Sequence, residues 1–474
     1  MIAAQAEEED EMLIAAMQVA PAEHTMPNTI ARKVWFVLLL VCMIEAIDLA
    51  FLSALFHSFE VDLALTPSML GYLALAQSVA MKGTVLLWGP YVDRAGDPAR
   101  FLRILLIGIG CSSLLTGVAQ SFYELALARF CTGALAGIIS PLSGCIIAEG
   151  HERKQRGKLF GVFNTVRSAG RILGTGVGAA LSTRWRLLLA VHGSCCILAG
   201  LIVYKLLPNE SDRLWQQHVE TVSQTEQPKK NNSAPSLEVK TERSAVRKIL
   251  SLRSFQLIVI HGVFGSFPFS GFSFIVLWFQ TGGVPLASAG MYANALHFGS
   301  VLGHFVAGYI GDWAAQKHPD HGRIYLAQVA DMMRIPMAWL IFVGATSASM
   351  NTAAASLFVL GLIIPLVPTG AIMPMLSDLL PQGASGTIMG YHLALESVFG
   401  VMAAPLVGTI AEKTYGYHLQ DVASACDGCV DEQNHWALGH ALMWNTVLPW
   451  SCCASFVSAL HWYFAQDRVL AHAE

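Results

Sequence analysis

Long apolar blocks dominate the chain, each of about 20 residues or more, the length a helix needs to cross roughly 30 Å of hydrocarbon. The first half has six: Val34 to Phe56, Ser68 to Pro90, Phe101 to Gln120, Phe122 to Ala148, Lys158 to Thr183 and Trp185 to Leu207. Six more follow: Phe255 to Phe279, Ala287 to Gly311, Arg323 to Thr346, Thr352 to Pro374, Ser385 to Ile410 and Ala437 to Phe464. A backbone in lipid must satisfy its own hydrogen bonds, and helices do this within each crossing. Composition agrees, since 13% of the residues are charged where a soluble domain carries about 25%. The expected fold class is an all-α polytopic membrane protein with twelve transmembrane helices in two six-helix bundles, residues 34–207 and 251–464.

Charge settles several further points. A net charge of −4 provides no basic field for holding nucleic-acid phosphates, so that class of partner is excluded. Short cytoplasmic loops retain Lys and Arg. With the N-terminus inside, Arg32, Lys33, Arg153, Lys154, Lys205 and Arg247 are among many cations on the cytoplasmic side, while Arg184, Arg186 and Lys413 alone fall opposite. Both termini, the tails 1–33 and 465–474 and the linker 208–250 are then cytosolic. The linker is too polar to bury a core. The acidic run Glu7 to Glu11 has the wrong charge for a signal or transit peptide and reads as a solvated tail.

Most cysteines fall within apolar blocks, where a free thiol acts as a small hydrophobe. Cys426 and Cys429 stand apart in the loop before the last block, as a disulfide if that side is oxidising, or less readily as half of a metal site with His418 and His435. No metal or cofactor is expected. The chain has no phosphate-binding Gly-rich loop ending in Lys-Ser/Thr, no His-Glu-x-x-His site and no Gly-x-Ser-x-Gly turn. Neither ATP-driven pumping nor hydrolysis is expected, and the chain is read as no enzyme.

Glycine followed by aspartate four residues later stands at the same point in each half. Gly89 and Asp93, with Arg94 and Gly96, close the second block, and Gly308, Gly311 and Asp312 close the eighth. A duplicated six-helix unit leaves such a trace. Both copies resemble motif A of the major facilitator superfamily, which implies that superfamily's fold and a conformational gate at these seven residues. The second copy has Trp313 where the first has Arg94, so its latch is expected to be weaker. Arg129, Gly133 and Gly137 resemble motif B of the same superfamily. The fifth block lacks the Gly-Pro pair of the antiporter motif and reads Asn164 to Arg171 instead, which disfavours drug–proton antiport of that type. The runs Leu135 to Pro141, Arg156 to Gly161, Gly265 to Pro268, Gly322 to Ile324, Glu396-Ser397 and Tyr415 to Tyr417 resemble the spinster-like branch, most closely its plant and algal members. Characterised spinster proteins are linked with export of lysophospholipids and sphingosine phosphate.

A charge near the bilayer centre costs a few kcal/mol and needs a partner, a wet cavity or a function. Glu45 and Asp48 lie about one turn apart on the first block and share a helix face. The resemblance matches Asp48 with the first-helix acid, and Arg129 with the motif B arginine, that couple protonation to conformational change. Asp48, Glu45 and Arg129 are therefore the expected proton-coupling group, with Asp48 meeting Arg129 as the cavity closes; a static ion pair is the alternative. Lys82 and Glu396 are expected to pair between the bundles, unless Lys82 snorkels to the interface. Arg167 and Arg171, four apart, suit an anionic substrate together with His297, unless they pair with His297 and His304. The seventh block is rich in Phe around Pro268, as a bent cavity wall or as plain packing.

The function these residues point to is a secondary transporter working by alternating access, linked to protons. It would move a small organic or amphipathic anion such as a lysophospholipid or sphingolipid phosphate. Membrane lipids, the solute and protons are the expected partners of a monomer. A non-transporting receptor or adaptor on the same fold, or a facilitator of sugars or organic anions, is the alternative.

Overall fold

The computed structural model describes residues 28–95, 98–139, 142–143, 146–147, 153–207, 248–346, 349–379, 392, 395–396, 399–419 and 428–472. In the first half these form α1 (Asn28–Ala54), α2 (Phe56–Leu63), α3 (Pro67–Ala95), α4 (Pro98–Val118), α5 (Phe122–Ala136), α6 (Arg153–Ala180) and α7 (Trp185–Leu206). The second half has α8 (Arg253–Gly271), α9 (Ile275–Thr281), α10 (Leu286–Lys317), α11 (Gly322–Phe342), α12 (Met350–Ile363), α13 (Met373–Leu379), α14 (Ala403–Lys413) and α15 (Glu432–His472). A described helix falls in each of the twelve apolar blocks, and no strand occurs among the described residues. The last helix runs on to His472, through most of the stretch expected as a tail.

Five described stretches are long and apolar enough to cross a membrane: Arg32–Ala54, Pro98–Val118, Ser182–Leu206, Arg253–Thr281 and Met350–Leu379. Other long helices, among them α3, α6 and α10, carry the polar side chains that face the middle of the protein. Local chemistry sets the breaks. Ser121 Oγ accepts a hydrogen bond from Glu124 N–H and so caps α5. Pro268 and Gly271 end α8, and a short 3-10 turn over Phe272–Phe274 leads into α9. Between α12 and α13 the chain passes through a 3-10 turn (Ile364–Leu366) and a π turn (Pro368–Ile372). Pro368 has no N–H to offer the Ile364 carbonyl four residues earlier. The guanidinium of Arg334 donates to that carbonyl instead.

Within the bundles, small residues allow close approach, as helices in lipid require. Gly133 of α5 packs directly on the Gln77 carbonyl of α3, where no side chain would fit. Two seams join the bundles, α3 against α14 and α6 against α10. A Cβ at Gly71 would lie 2.5 Å from the Ala404 carbonyl oxygen, and Asn294 Nδ2 donates to the Ile172 carbonyl at 2.8 Å. Ser68 Oγ donates to Glu412 Oε2 at 2.6 Å. These contacts gather at the end of the bundles where α1 finishes.

Glu60 on α2 belongs to the same closure. It lies beyond the first span, and the Tyr417 hydroxyl, from the loop after α14, donates to its Oε2 at 3.1 Å. The carboxyl is 3% exposed, its Oε1 has no hydrogen-bond partner, and His57 Nδ1 stands 4.0 Å from Oε2. Burial pushes Glu60 up to about 8, against the Tyr417 hydrogen bond, which pulls it down, and with Asp431 adding to the rise. A carboxyl that returns to its ordinary value of 4.5 when this end opens takes up a proton on closure. Closure is then fully supported below 4.5, loses support as pH rises, and has lost it above about 8. In a background without reactive native cysteines, labelling of Ser273→Cys by an impermeant maleimide, taken relative to the unfolded protein at the same pH so that thiol ionisation cancels, is expected to rise over this range. Glu60→Gln should flatten that rise, and an unchanged slope would count against the latch.

Candidate functional site

Between the bundles lies a cavity of about 500 Å³. Pockets for small molecules run from roughly 300 to 1,000 Å³. Its wall alternates apolar and polar groups: Phe269 and Phe272 from the broken seventh crossing, Gln77 and Lys82 from α3, Arg171 from α6 and His297 from α10. The proline and glycine that end α8 turn these aromatic rings toward the cavity, while Phe274, Trp278 and Phe279 pack in the core. Among the described residues, neither Lys82 nor Arg171 has a carboxylate within 4 Å.

Arg167 is different. Its guanidinium donates to both oxygens of Glu45, at 2.9 and 3.3 Å, which joins α6 to α1 and keeps Arg167 off the cavity wall. Of the two arginines expected at the substrate, Arg171 lines the cavity and Arg167 does not. One helical turn separates the two guanidinium groups, and α1 offers a carboxylate to the first alone. His297 lines the cavity with Arg171, whereas His304 pairs through Nδ1 with Thr369 Oγ1 at 2.8 Å.

Glu45 and Asp48 do not share a site either, because each takes an arginine from a separate helix. Asp48 is wholly buried, and Arg129 Nη1 donates to its Oδ2 at 3.3 Å. Thr116 Oγ1 of α4 accepts from Arg129 Nε and Nη2 at 3.1 and 2.6 Å. The other oxygen of Asp48, Oδ1, has no hydrogen-bond partner and stands 3.6 Å from His192 Nε2 of α7. Asp48 thus gives one oxygen to Arg129 and holds the other, unfilled, toward His192. Thr116 and His192 escape a sequence reading, since neither residue type is unusual in an apolar helix.

Lys82 and Glu396 influence one another electrostatically, but among the described residues they form no ion pair within 4 Å. Glu396 Oε2 lies 3.5 Å from His392 Nε2, one turn earlier on the same segment. The local i, i+4 neighbour is nearer than a cation on the opposite bundle.

The second Gly-Asp copy lies at the end of α10. Asp312 Oδ1 accepts from Arg323 Nη2 of α11 at 3.1 Å, so Arg323 supplies the cation that Trp313 does not. Lys317 instead lies over the Trp313 ring, 4.9 Å from its centroid. Gly311 packs against the Gly370 backbone, whereas a Cβ at Gly308 would meet nothing within 4 Å. Close packing at this copy thus falls to Gly311 alone. In the first copy, the surroundings of Gly89, the side chains of Asp93 and Arg94, and all of Gly96 lie outside the described residues. Cys429 is disulfide-bonded, while Cys426 lies outside the described residues. No cluster of three or more metal-binding side chains occurs among the described residues.

Several known proteins resemble the chain in fold or in sequence. A bacterial homologue of the human lysosomal transporter Spinster, solved in an inward-facing and occupied conformation, aligns with a TM-score of 0.72 at 17% identity, over 92% of this chain and 97% of that one. A D-xylose–proton symporter aligns at 0.61 and 16% identity, over 88% and 97%. Both show likeness of fold. In sequence, the chain is 29% identical over 202 residues to the puromycin resistance protein pur8 of Streptomyces alboniger, covering 42% of this chain and 39% of that protein. It is 30% identical over 184 residues to a gallate transporter of Pseudomonas putida, covering 38% and 39%. The matches thus span about two fifths of the length of each of these relatives. A multidrug resistance protein, MdtG of Escherichia fergusonii, matches at 24% over 342 residues, 72% of this chain and 76% of that one. Residues 35–405 match the Major Facilitator Superfamily as a family, and with its paired helical bundles the chain belongs to that superfamily.

Proposed function

We propose that the protein is a secondary transporter that moves an amphipathic anion by alternating access and couples the movement to protons. The observation that carries the reading is the cavity between the bundles. It sets Lys82 and Arg171, which among the described residues have no carboxylate within 4 Å, beside a wall of Phe269 and Phe272. Unpaired cations at membrane depth are costly, and an anionic ligand relieves that cost. Aromatic rings accept an apolar body while the guanidinium takes a carboxylate or phosphate in a bidentate grip. A lysophospholipid or sphingolipid phosphate has this shape, and so does an aromatic carboxylate such as the solute named for the Pseudomonas relative.

With the positive-inside orientation, both termini are cytosolic, and the end closed by Ser68–Glu412 and Glu60–Tyr417 is the outer one. Asp48 takes the proton, and its neutralisation frees Arg129 from α1. Proteoliposomes carrying the purified protein test the reading. Uptake of labelled lysophosphatidic acid, sphingosine phosphate and gallate is measured at two pH values, with xylose as a neutral control. Uptake of at least one anion above protein-free vesicles, with a different rate at the two pH values, is expected. Uptake of xylose alone would overturn the anion reading and favour a sugar facilitator; no uptake of any solute would favour a receptor or adaptor.

A further inference from the structure

Two buried clusters hold the same three groups, a carboxylate, a guanidinium and an imidazole, and the transport cycle outlined above uses only the first. Asp48, Arg129 and His192 form it in the N-terminal bundle. In the C-terminal bundle, His261 Nε2 of α8 lies 3.0 Å from Asp331 Oδ2 of α11, and Arg334 Nη1 donates to Asp331 Oδ1 at 2.8 Å. Asp331 is fully buried, and His261 and Arg334 are each 4% exposed. The clusters are not copies by descent of position. The first draws its acid from the first crossing of its bundle, the second from the third crossing.

Asp331 and Arg334 already neutralise each other, and Arg334 also ties down the Ile364 carbonyl and lies over Trp450, 5.6 Å from the ring centroid. The charges of that pair balance without a histidine. With Nε2–H donated to Asp331, the ring keeps Nδ1 as its basic nitrogen.

A partly exposed carboxylate lies alongside. Gly262, the next residue on α8, has no side chain, and a Cβ there would lie 3.1 Å from Glu396 Cγ and 3.4 Å from His392 Cε1. Both side chains are therefore seated against the turn that carries His261. His392 Nδ1 is buried without a hydrogen-bond partner. The Glu396 side chain is 29% exposed, and its charge is felt by Lys82 on the cavity wall.

We propose that His261, held by Asp331, is a second proton-binding site, seated in the C-terminal bundle and loaded from the cavity through Glu396 and His392. The charged and titratable groups around it are Asp331 and Arg334 of α11, His392 and Glu396 of the segment before α14, Cys452 and Cys453 of α15, and Lys82 of α3 across the cavity. The Cys453 thiol donates to the His261 carbonyl at 3.4 Å and leaves the ring untouched. A proton passes from water to the Glu396 carboxylate, then to His392, then to His261 Nδ1, and the cluster goes from neutral to singly positive. That charge draws Glu396 toward α8 and away from Lys82. Ser266 Oγ already holds the Glu396 backbone carbonyl to α8 at 2.8 Å, so the change acts on a joint between two crossings.

The test is a proton count on the purified full chain in detergent, followed with an indicator dye from pH 5 to pH 8. It needs no solute, so it succeeds or fails independently of whether the chain transports. His261→Gln is expected to bind one proton fewer than wild type, and Asp331→Asn to move the same proton to lower pH. Asp48→Asn should remove a different proton, so the His261→Gln/Asp48→Asn double variant loses two. A wild-type count in His261→Gln, folded by thermal melting, overturns the proposal, because a static histidine would bind no proton in this range. Should His261→Gln fail to fold, His392→Gln and Glu396→Gln decide the matter. Each is expected to slow proton uptake at least tenfold in stopped flow without loss of the His261 proton, and an unchanged rate in both overturns the route.

Discussion

Asp48→Asn is expected to remove most of the pH dependence of solute flux while the protein stays folded, whereas Arg129→Leu is expected to cost about 3 to 5 kcal/mol of stability. The asymmetry follows from what each variant leaves behind. Asparagine keeps the volume and a carbonyl for Arg129, which still has Thr116 Oγ1 at 2.6 Å. Leucine in place of Arg129 strands a wholly buried carboxylate whose nearest remaining cation is His192, 3.6 Å away and charged only when protonated. The double variant Asp48→Leu/Arg129→Met removes both charges together and should recover most of the lost stability, since replacing a buried pair by apolar groups is often neutral. It should not recover the pH dependence. Thermal melting of the four proteins, beside flux at two pH values, separates the roles: pH-dependent flux in the double variant would show that the pair is only structural.

Arg171→Gln is expected to weaken anion binding by about 10- to 100-fold, the equivalent of one charge-assisted hydrogen-bonding group at ~1.5 to 3 kcal/mol. Lys82→Gln should weaken it less, because an ammonium is a point charge on a flexible stem without the planar fork of an arginine. Arg167→Gln makes the contrast. It leaves Glu45 buried without its partner at 2.9 Å and should lower the melting temperature more than the affinity. The readout is equilibrium binding of the best anion from the uptake panel, with melting curves in parallel. Equal losses of affinity in Arg167→Gln and Arg171→Gln, at equal stability, would sink the assignment of the cavity guanidinium to Arg171 alone.

Much of the architecture was legible in the residues. Apolar blocks of crossing length, each now holding a described helix, required a helical membrane protein, and the repeated Gly-Asp pair pointed to two related halves. Asp48 with Arg129 was legible too, because a charge in an apolar block demands a partner. It was found with the opposite end of the bundles closed, so the pair does not wait for the cavity to shut. Partner choice was harder to read. Lys82 and Glu396 are opposite charges on facing helices, yet Glu396 sits nearer to His392, and Arg167 was spent on Glu45. Asp331 stands three residues before Arg334 in an apolar block and was the missed signal for the second cluster. Glu60 and Tyr417 are 357 residues apart and ordinary in their local contexts, so nothing along the chain joins them.

The sequence by itself determined that this is a helical membrane protein in two halves, and which few charges had to be accounted for inside it. Length and hydropathy act through the cost of exposing backbone and charge to lipid, and that cost is local to each crossing. Only the tertiary structure decided which arginine faces the cavity, which carboxylate holds which cation, and where the two bundles touch. Those outcomes depend on distances of a few ångströms between helices far apart in the chain, and Coulomb and hydrogen-bond energies fall too steeply with distance for helix periodicity to rank them.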